Sequence, residues 1–175
     1  IQKGQQVLIY GASGAVGTAA VQLARQMGAE VTGVCSTRNM ELVRGLGAST
    51  VLDHTTNDLA AIHDRYDVVF ETVGKLPFAS CLHLLKPRGV LILGSEMPGA
   101  ALLRPFKSKG GKRPKIIHGT AGQRSEDMHQ LKTLIERNEL RAVIDTTYPI
   151  ERIAEAHALA ESGHKRGSVV ITIDR

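Results

Sequence analysis

A glycine-rich motif near the start of the 175-residue chain has the clearest chemistry in the sequence. Residues 11–17 read Gly-Ala-Ser-Gly-Ala-Val-Gly and lie between an apolar run, residues 7–10, and a helical pattern over residues 14–27. The first turn of a helix offers unpaired N–H groups and a partial positive charge, and glycine lets the backbone approach a ligand closely. In this context the motif predicts a binding site for the pyrophosphate of a dinucleotide. Its residues are Gly11, Ser13, Gly14, Ala15, Val16 and Gly17.

The residues after the second predicted strand indicate which dinucleotide is bound. A site that prefers NAD places Asp or Glu there, where the carboxylate accepts hydrogen bonds from the ribose hydroxyls. This chain has Ser36, Thr37 and Arg38 instead. Hydroxyls donate hydrogen bonds to a 2′-phosphate and a guanidinium pairs with it, so the sequence predicts NADP(H). The alternative is an ordinary capped turn with an exposed Arg38.

Three further strand ends supply candidate cofactor residues, because ligands of open α/β sheets bind at the carboxyl ends of the strands. His54 follows the third predicted strand and is a candidate for contact with the adenosine phosphate, although a lone loop histidine is often incidental. Thr72 and Val73 follow the fourth strand, and Gly119 and Thr120 follow the sixth. These four residues are predicted to line the ribose and nicotinamide, with plain glycine turns as the alternative.

The residue types that serve in catalysis and metal binding form no comparable pattern. Cys35 and Cys81 lack a CxxC or Cys–His spacing, and the seven histidines form no HxxxH or HxxE cluster. No tyrosine has a lysine four positions later, the pair that a short-chain dehydrogenase needs, and GxSxG is absent. The sequence therefore predicts no metal site and leaves the catalytic residues unassigned.

Charge and composition exclude several classes of protein. The formal net charge is +5, from 22 Lys and Arg against 17 Asp and Glu, and six of these basic residues lie within residues 104–115. That stretch is either an electrostatic patch for phosphates or nucleic acid, or a solvated, glycine-rich surface loop. Only Phe106 interleaves with its basic residues, so a platform for base stacking is missing and nucleic acid is disfavoured.

Location in the cell is constrained by three features of the sequence. No apolar run approaches the roughly 18 residues of a membrane span. Two cysteines cannot build a disulfide scaffold, so a reduced, cytoplasmic compartment is the default expectation. The chain starts at Ile1 and runs almost directly into a strand, which leads us to expect a longer protein. An organellar targeting sequence upstream therefore stays open.

Short apolar runs and helical patterns alternate over the first two thirds of the chain. Predicted strands cover residues 7–10, 31–34, 51–52, 67–71, 90–93 and 115–118. Predicted helices cover residues 14–27, 39–46, 59–63 and 78–85. This alternation is typical of βαβ units with helices on both faces of a parallel sheet. We therefore predict an α/β fold, a Rossmann-type, doubly wound parallel sheet of six strands, over residues 1–124.

The rest of the chain, residues 125–175, has a different pattern. A helix is predicted from Ser125, which is a candidate N-cap, and is followed by a strand over residues 142–148. Pro149 is expected to open a second helix, and a last strand covers residues 168–173. Because the six-stranded sheet is complete without them, these two strands lack partners.

Several motifs together resemble one known family. Residues 4–24, GQQVLIYGASGAVGTAAVQLA, resemble the cofactor-binding half of the medium-chain dehydrogenase/reductases, in the zinc-independent, quinone-oxidoreductase-like branch. Further matches are VCSTRN at residues 34–39, DVVFETVG at 67–74, LKPRGV at 85–90, VID at 143–145, YPI at 148–150, EAH at 155–157 and GHKRG at 163–167. The resemblance covers nearly the whole chain and is more specific than the glycine motif alone.

The resemblance implies a fold and a site. Members of the family reduce quinones, enones or related carbonyls with NADPH, usually as dimers, and carry a GroES-like substrate domain that residues 125–175 would help to complete. Residues 13–16 would hold the pyrophosphate, Ser36 and Arg38 the 2′-phosphate, and Val73 with residues 119–120 the ribose and nicotinamide. The family usually has Tyr at the position of His54, and often Lys or Asn at that of Ser168.

The sequence thus leads us to expect the NADP(H)-binding domain of a zinc-independent reductase of quinones, enones or related carbonyls. Alone, the chain should bind cofactor with little or no turnover. Two alternatives stay open: a non-catalytic protein that senses NADPH or binds RNA, and a zinc-dependent alcohol dehydrogenase whose metal site lies outside these residues.

Overall fold

The computed structural model describes residues 1–95, 114–119, 122 and 124–173. Within these residues, six parallel strands form one sheet in the order β3-β2-β1-β4-β5-β6. The strands are β1 (Gln6–Tyr10), β2 (Glu30–Cys35), β3 (Thr50–Asp53), β4 (Tyr66–Glu71), β5 (Leu85–Leu93) and β6 (Lys115–His118). This is the strand order of a doubly wound dinucleotide-binding fold. The predicted fold class is confirmed.

Helices cover both faces of the sheet, which explains why its central strands are apolar throughout. The helices are α1 (Ala15–Gln26), α2 (Met40–Gly45) and α3 (Phe78–His83), with 3₁₀ helices at Thr37–Asn39 and Leu59–Ala61. Successive side chains of a strand point to opposite faces. In β1, Val7 and Ile9 join the core that contains α1, whereas Leu8 joins the core that contains α3. All three are almost completely buried.

The connection between α3 and β5 differs from its prediction. The helix expected over residues 78–85 ends at His83, and the strand expected to start at residue 90 already starts at Leu85. The β4–β5 register shifts between Tyr66 and Val68, and Arg88 has a φ of 66°. The residues between Leu85 and Val90 therefore form an irregular start of β5 rather than a last turn of α3.

The remaining described elements are α4 (Ser125–Glu136), β7 (Ile144–Pro149), a 3₁₀ helix (Ile150–Arg152), α5 (Ile153–Glu161) and β8 (Ser168–Thr172). The expectation that the last two strands lack partners is wrong, because β7 and β8 pair with each other in a separate parallel ladder. One local prediction is also wrong, because Arg124 rather than Ser125 occupies the N-cap of α4. Pro149 ends β7 and, as predicted, opens a helix, since it is the N-cap of the 3₁₀ helix that leads into α5.

The C-terminal segment is attached to α1 and to the turn before it. The amide of Gln22 donates to the carbonyl of Arg141 (3.1 Å) and accepts from the N–H of Arg141 (2.9 Å). The N–H of Gly167 donates to the carbonyl of Ser13 at 2.8 Å. The division at residues 124 and 125 stays a prediction. Across the part of the chain described here, no helix has the length and apolar character of a membrane span.

The space around two glycines predicts opposite effects of the same substitution. A Cβ on Gly17 would overlap the carbonyl of Gly11 and come within 2.8 Å of the Cα of Ala12. We expect Gly17→Ala to lower the free energy of unfolding by about 1–3 kcal/mol. Gly45, in α2, is the matched control, since a Cβ there would meet no described atom within 4 Å beyond its chain neighbours and its own helix backbone. Gly45→Ala should raise stability by about 0.5–1 kcal/mol, as measured by urea denaturation. Equal effects would contradict the close approach at Gly17.

Candidate functional site

The turn from β1 into α1 brings its backbone close to both neighbours. Gly11 has a φ of 82°, and the N–H groups of Gly11 and Ala12 both donate to the carbonyl of Val34 at 3.0 Å. A Cβ on Gly11 would collide with the side chains of Thr72 and Val73. The first turn of α1 then presents N–H groups without intrahelical partners. This geometry is that of a helix start suited to bind an anion.

A cavity of about 740 Å³ opens beside this turn, at the carboxyl ends of the central strands. The predicted cofactor residues that line it are Gly11, Ser13, Gly14, Ala15, Val16, Ser36, Thr37, Arg38, His54, Thr72 and Val73. The structure thus brings together residues from four separate stretches of the sequence. The volume and the glycine turn fit a bound dinucleotide.

Three predicted residues stand apart from this lining. Gly17 is buried beneath the cavity, where its missing side chain lets α1 approach Gly11. Gly119, after β6, is exposed and is not a lining residue. Thr120 lies outside the described residues, as does almost all of the basic stretch at residues 104–115.

The cavity also contains residues that sequence reasoning missed. They are Tyr10, Cys35, Asn39, Thr55, Lys75, Ala160, Gly163, His164 and Lys165. Four of these belong to the end of α5 and the loop before β8, so the C-terminal segment forms one wall of the cavity. The basic run GHKRG at residues 163–167 was the available signal, but only its place in the fold brings it to the glycine motif.

The lining is electropositive. It includes Arg38, Lys75 and Lys165 and, among the described residues, no Asp or Glu. The Nη2 of Arg38 donates to the carbonyl of His164 at 2.5 Å, and the Nζ of Lys165 donates to the carbonyl of Gly167 at 2.7 Å. A guanidinium has five N–H donors, so Arg38 keeps donors for a ligand. This wall is suited to a phosphate.

Asp53, the last residue of β3, is withdrawn from the cavity by its own hydrogen bonds. Its carboxylate accepts from the hydroxyl of Thr37 and from the hydroxyl (2.6 Å) and N–H (2.8 Å) of Thr55. The hydrogen bond from Thr37, followed by those from Thr55, lowers the pKa of Asp53. The hydroxyl hydrogen of Thr37 is therefore directed at Asp53, and a contact of Thr37 with the cofactor stays a prediction.

Glu71, the last residue of β4, fixes the loop on the other side of the glycine turn. Its carboxylate is completely buried and accepts from the N–H groups of Val73 (3.1 Å), Gly74 (2.6 Å) and Lys75 (3.3 Å). The hydroxyl of Ser95 donates a fourth, longer hydrogen bond at 3.4 Å. These bonds hold Val73 at the rim of the cavity, where its side chain is 42% exposed.

His54 lies at the edge of the cavity beside an aromatic ring. Its backbone N–H donates to the carbonyl of Cys35 at 3.0 Å, and its ring centroid is 6.1 Å from that of Tyr10. The imidazole itself is exposed. This geometry leaves the contact of His54 with the adenosine phosphate as a prediction.

The two cysteines have the properties of core residues. Burial raises the pKa of the Cys35 thiol to about 11 and that of the Cys81 thiol to about 12. Because the thiolate is the reactive form, neither is suited to be a nucleophile at neutral pH. Among the residues that the structure describes, no group of three or more His, Cys, Asp or Glu could hold a metal ion. These residues do not form a zinc site, and zinc independence stays a prediction.

Fold and site together define a dinucleotide-binding α/β domain of the Rossmann type. Residues 46–171 match the family model described as "Zinc-binding dehydrogenase". The chain belongs to the medium-chain dehydrogenase/reductase superfamily, in its quinone-oxidoreductase-like branch. The predicted family is confirmed.

Individual relatives match nearly all of this chain. It is 30% identical over 173 residues to a chloroplast envelope quinone oxidoreductase homolog of Arabidopsis thaliana, covering 97% of this chain and 53% of the relative. It is 28% identical over 172 residues to the NADPH-dependent alkenal/one oxidoreductase, chloroplastic, of the same organism, covering 96% and 40%. The structure of the quinone oxidoreductase from Coxiella burnetii superposes with a TM-score of 0.81 at 28% identity, covering 99% and 54%. The chain thus spans about half the length, or less, of these proteins.

The hydrogen bonds to Asp53 predict an acid-dependent loss of stability. Since the pKa of Asp53 is lower in the folded state, its contribution is complete above the unfolded pKa, about 4, and is lost as pH falls through the folded pKa. The difference in unfolding free energy between wild type and Asp53→Asn should therefore be constant near neutral pH and shrink below about pH 4. Urea denaturation over this range measures it, with Asp64→Asn at an exposed aspartate as control. A difference that does not change with pH would contradict this role.

Proposed function

We propose that the chain binds NADP(H) in the cavity at the carboxyl ends of its strands. We further propose that the whole protein is an oxidoreductase that reduces a quinone, an enone or a related carbonyl. The observation that carries the cofactor proposal is the charge of the lining. Arg38, Lys75 and Lys165 face the cavity, and no acidic side chain of the described residues lines it. A 2′-phosphate adds about two negative charges, which such a lining favours.

The hydrogen bonds of Asp53, the nearest carboxylate, support the preference for NADP(H) over NAD(H). A site for NAD uses a carboxylate to accept hydrogen bonds from the ribose hydroxyls. Asp53 accepts three hydrogen bonds from Thr37 and Thr55 and is 4% exposed. The name of one relative, an NADPH-dependent oxidoreductase, agrees with this preference.

The share of the chain in catalysis would be to bind and orient the cofactor. The cofactor would supply a hydride to the carbonyl or conjugated double bond of the substrate. Residues 13–16, at the start of α1, would hold the pyrophosphate, Ser36 and Arg38 the 2′-phosphate, and Val73 would close the nicotinamide end against water. We assign no catalytic acid or base among these residues. The names of two relatives favour a quinone and that of a third an alkenal or enone.

The first test is the affinity of the chain for each cofactor. Isothermal titration calorimetry with NADPH and NADH should show binding of both and clear preference for NADPH. Arg38→Ala should weaken NADPH binding by about 10- to 100-fold and NADH binding only slightly, because a charge-assisted bond to the 2′-phosphate is lost. Arg44→Ala removes an exposed arginine that pairs with Glu41 and is the matched control. Equal losses for the two cofactors would remove Arg38 from the phosphate site.

A second test concerns turnover by the 175-residue chain alone. Its relatives are about twice as long or more, and we propose that their remaining half supplies much of the substrate cleft. NADPH oxidation with quinones and enones should therefore be at or near the background rate, although the cofactor binds. Appreciable quinone or enone reduction by this chain would contradict the proposal that the remaining half supplies much of the substrate cleft. Dimer formation and a cytoplasmic location stay predictions, and two of the relatives are chloroplast proteins by name.

A further inference from the structure

Asn39 is a buried polar residue in the lining of the cavity. It joins the 3₁₀ helix at Thr37–Asn39 to α2, has helical backbone angles (φ −106°, ψ 0°) and is 4% exposed. A residue that caps a helix start has extended backbone angles, and in this segment that residue is Ser36. The side chain of Asn39 makes no hydrogen bond to the first turn of α2. Its amide is turned toward other partners instead.

Those partners are two hydroxyls from separate parts of the predicted phosphate site. The Nδ2 of Asn39 donates to the Oγ of Ser13 at 3.0 Å and to the Oγ of Ser36 at 3.2 Å. Ser13 belongs to the glycine turn and Ser36 to the end of β2, and both line the cavity. Both hydrogens of the amide are thus used, and one side chain connects the two proposed phosphate subsites.

The direction of these hydrogen bonds decides what the hydroxyls offer to a ligand. A serine hydroxyl has one donor hydrogen and two acceptor lone pairs. When it accepts from Asn39, its own hydrogen stays available to a third group. Phosphate oxygens only accept, so this is the polarity that a phosphate requires. With the amide reversed, Oδ1 would take both hydrogens and both hydroxyls would present lone pairs to the anion.

This arrangement leaves part of Asn39 unsatisfied. Its Oδ1 is buried without a hydrogen-bond partner in the described part of the chain. A buried acceptor without a hydrogen-bond partner is destabilising. Such a local conflict is expected where a residue serves a site rather than the stability of the fold.

We propose that Asn39 is a positioning residue that orients the hydroxyls of Ser13 and Ser36 as donors, to the pyrophosphate and to the 2′-phosphate respectively. The inference rests on the proposed function, because it assigns those two phosphates to this cavity. It adds that one buried amide sets the hydrogen-bond polarity of both subsites.

The direct test is Asn39→Asp, which has nearly the same shape and replaces the donating NH₂ by an accepting oxygen. The hydroxyls of Ser13 and Ser36 would then donate their hydrogens to the new carboxylate instead of to a phosphate. By calorimetry, affinity should fall about 10-fold for NADH, through Ser13, and about 100-fold for NADPH, through both serines. Asn138→Asp, in the turn after α4, adds the same charge away from the cavity and should change neither affinity. Equal affinity of wild type and Asn39→Asp would overturn the inference.

A double-mutant cycle separates positioning from a purely structural role. Asn39→Ala should weaken both cofactors in the wild-type background, and the loss for NADPH should exceed that for NADH. In a Ser13→Ala/Ser36→Ala background the same substitution should change affinity by less than about 2-fold, because the hydroxyls through which it acts are gone. An undiminished loss in that background would show that Asn39 acts through the fold. Asn39→Ala also carries the test if thermal melting shows that Asn39→Asp is unfolded.

The failure of this inference is distinguishable from that of the proposed function. A wild-type chain that binds NADPH while the Asn39 variants behave like wild type, or while the cycle is additive, keeps the NADP(H) site and overturns the role of Asn39. A folded wild-type chain that binds neither NADPH nor NADH overturns both.

Discussion

The approach of α1 to the glycine turn before it is the contact on which the site depends. Gly17 packs against the carbonyl of Gly11, and Gly11 in turn leaves room for the side chains of Thr72 and Val73. This places the start of the helix, with its unpaired N–H groups, at the carboxyl ends of β1 and β4. The cavity lies where the glycine turn, the start of α1 and the residues after β4 meet. Side chains at Gly11 and Gly17 would keep these three segments apart.

Acidic and basic side chains have different roles around this contact. Acidic groups at the strand ends are used internally, since Glu71 binds the N–H groups of its loop and Asp53 binds Thr37 and Thr55. Basic side chains are left at the surface of the cavity. The strand-end carboxylates therefore shape the loops, and the field that a ligand meets is positive. A lining of this charge favours an anion without a dedicated cluster of arginines.

Local patterns in the sequence were sufficient to predict the six strands, their parallel arrangement and the glycine turn. These features depend on short-range signals, such as the apolar run at residues 7–10 followed by glycine and a helical period. The wall formed by His164 and Lys165 was not predictable in the same way, because the contact of Arg38 with His164 joins residues 126 positions apart. The pairing of β7 with β8 and the early start of β5 are likewise set by packing and register rather than by propensity. Asn39 was not predicted as a site residue, because its contact with Ser13 joins residues 26 positions apart.

The hydrogen bond from Gly167 to Ser13 ties the loop before β8 to the glycine turn after β1. On a ribosome the chain emerges from its N-terminus at roughly 5–20 residues per second, so the glycine turn is available many seconds before its partner. The sheet has time to fold while one wall of the cavity is still inside the synthesis machinery. The closed cavity would form only after residues 160–167 have emerged. A nascent chain halted before α5 would carry the complete glycine motif and still present only an open surface.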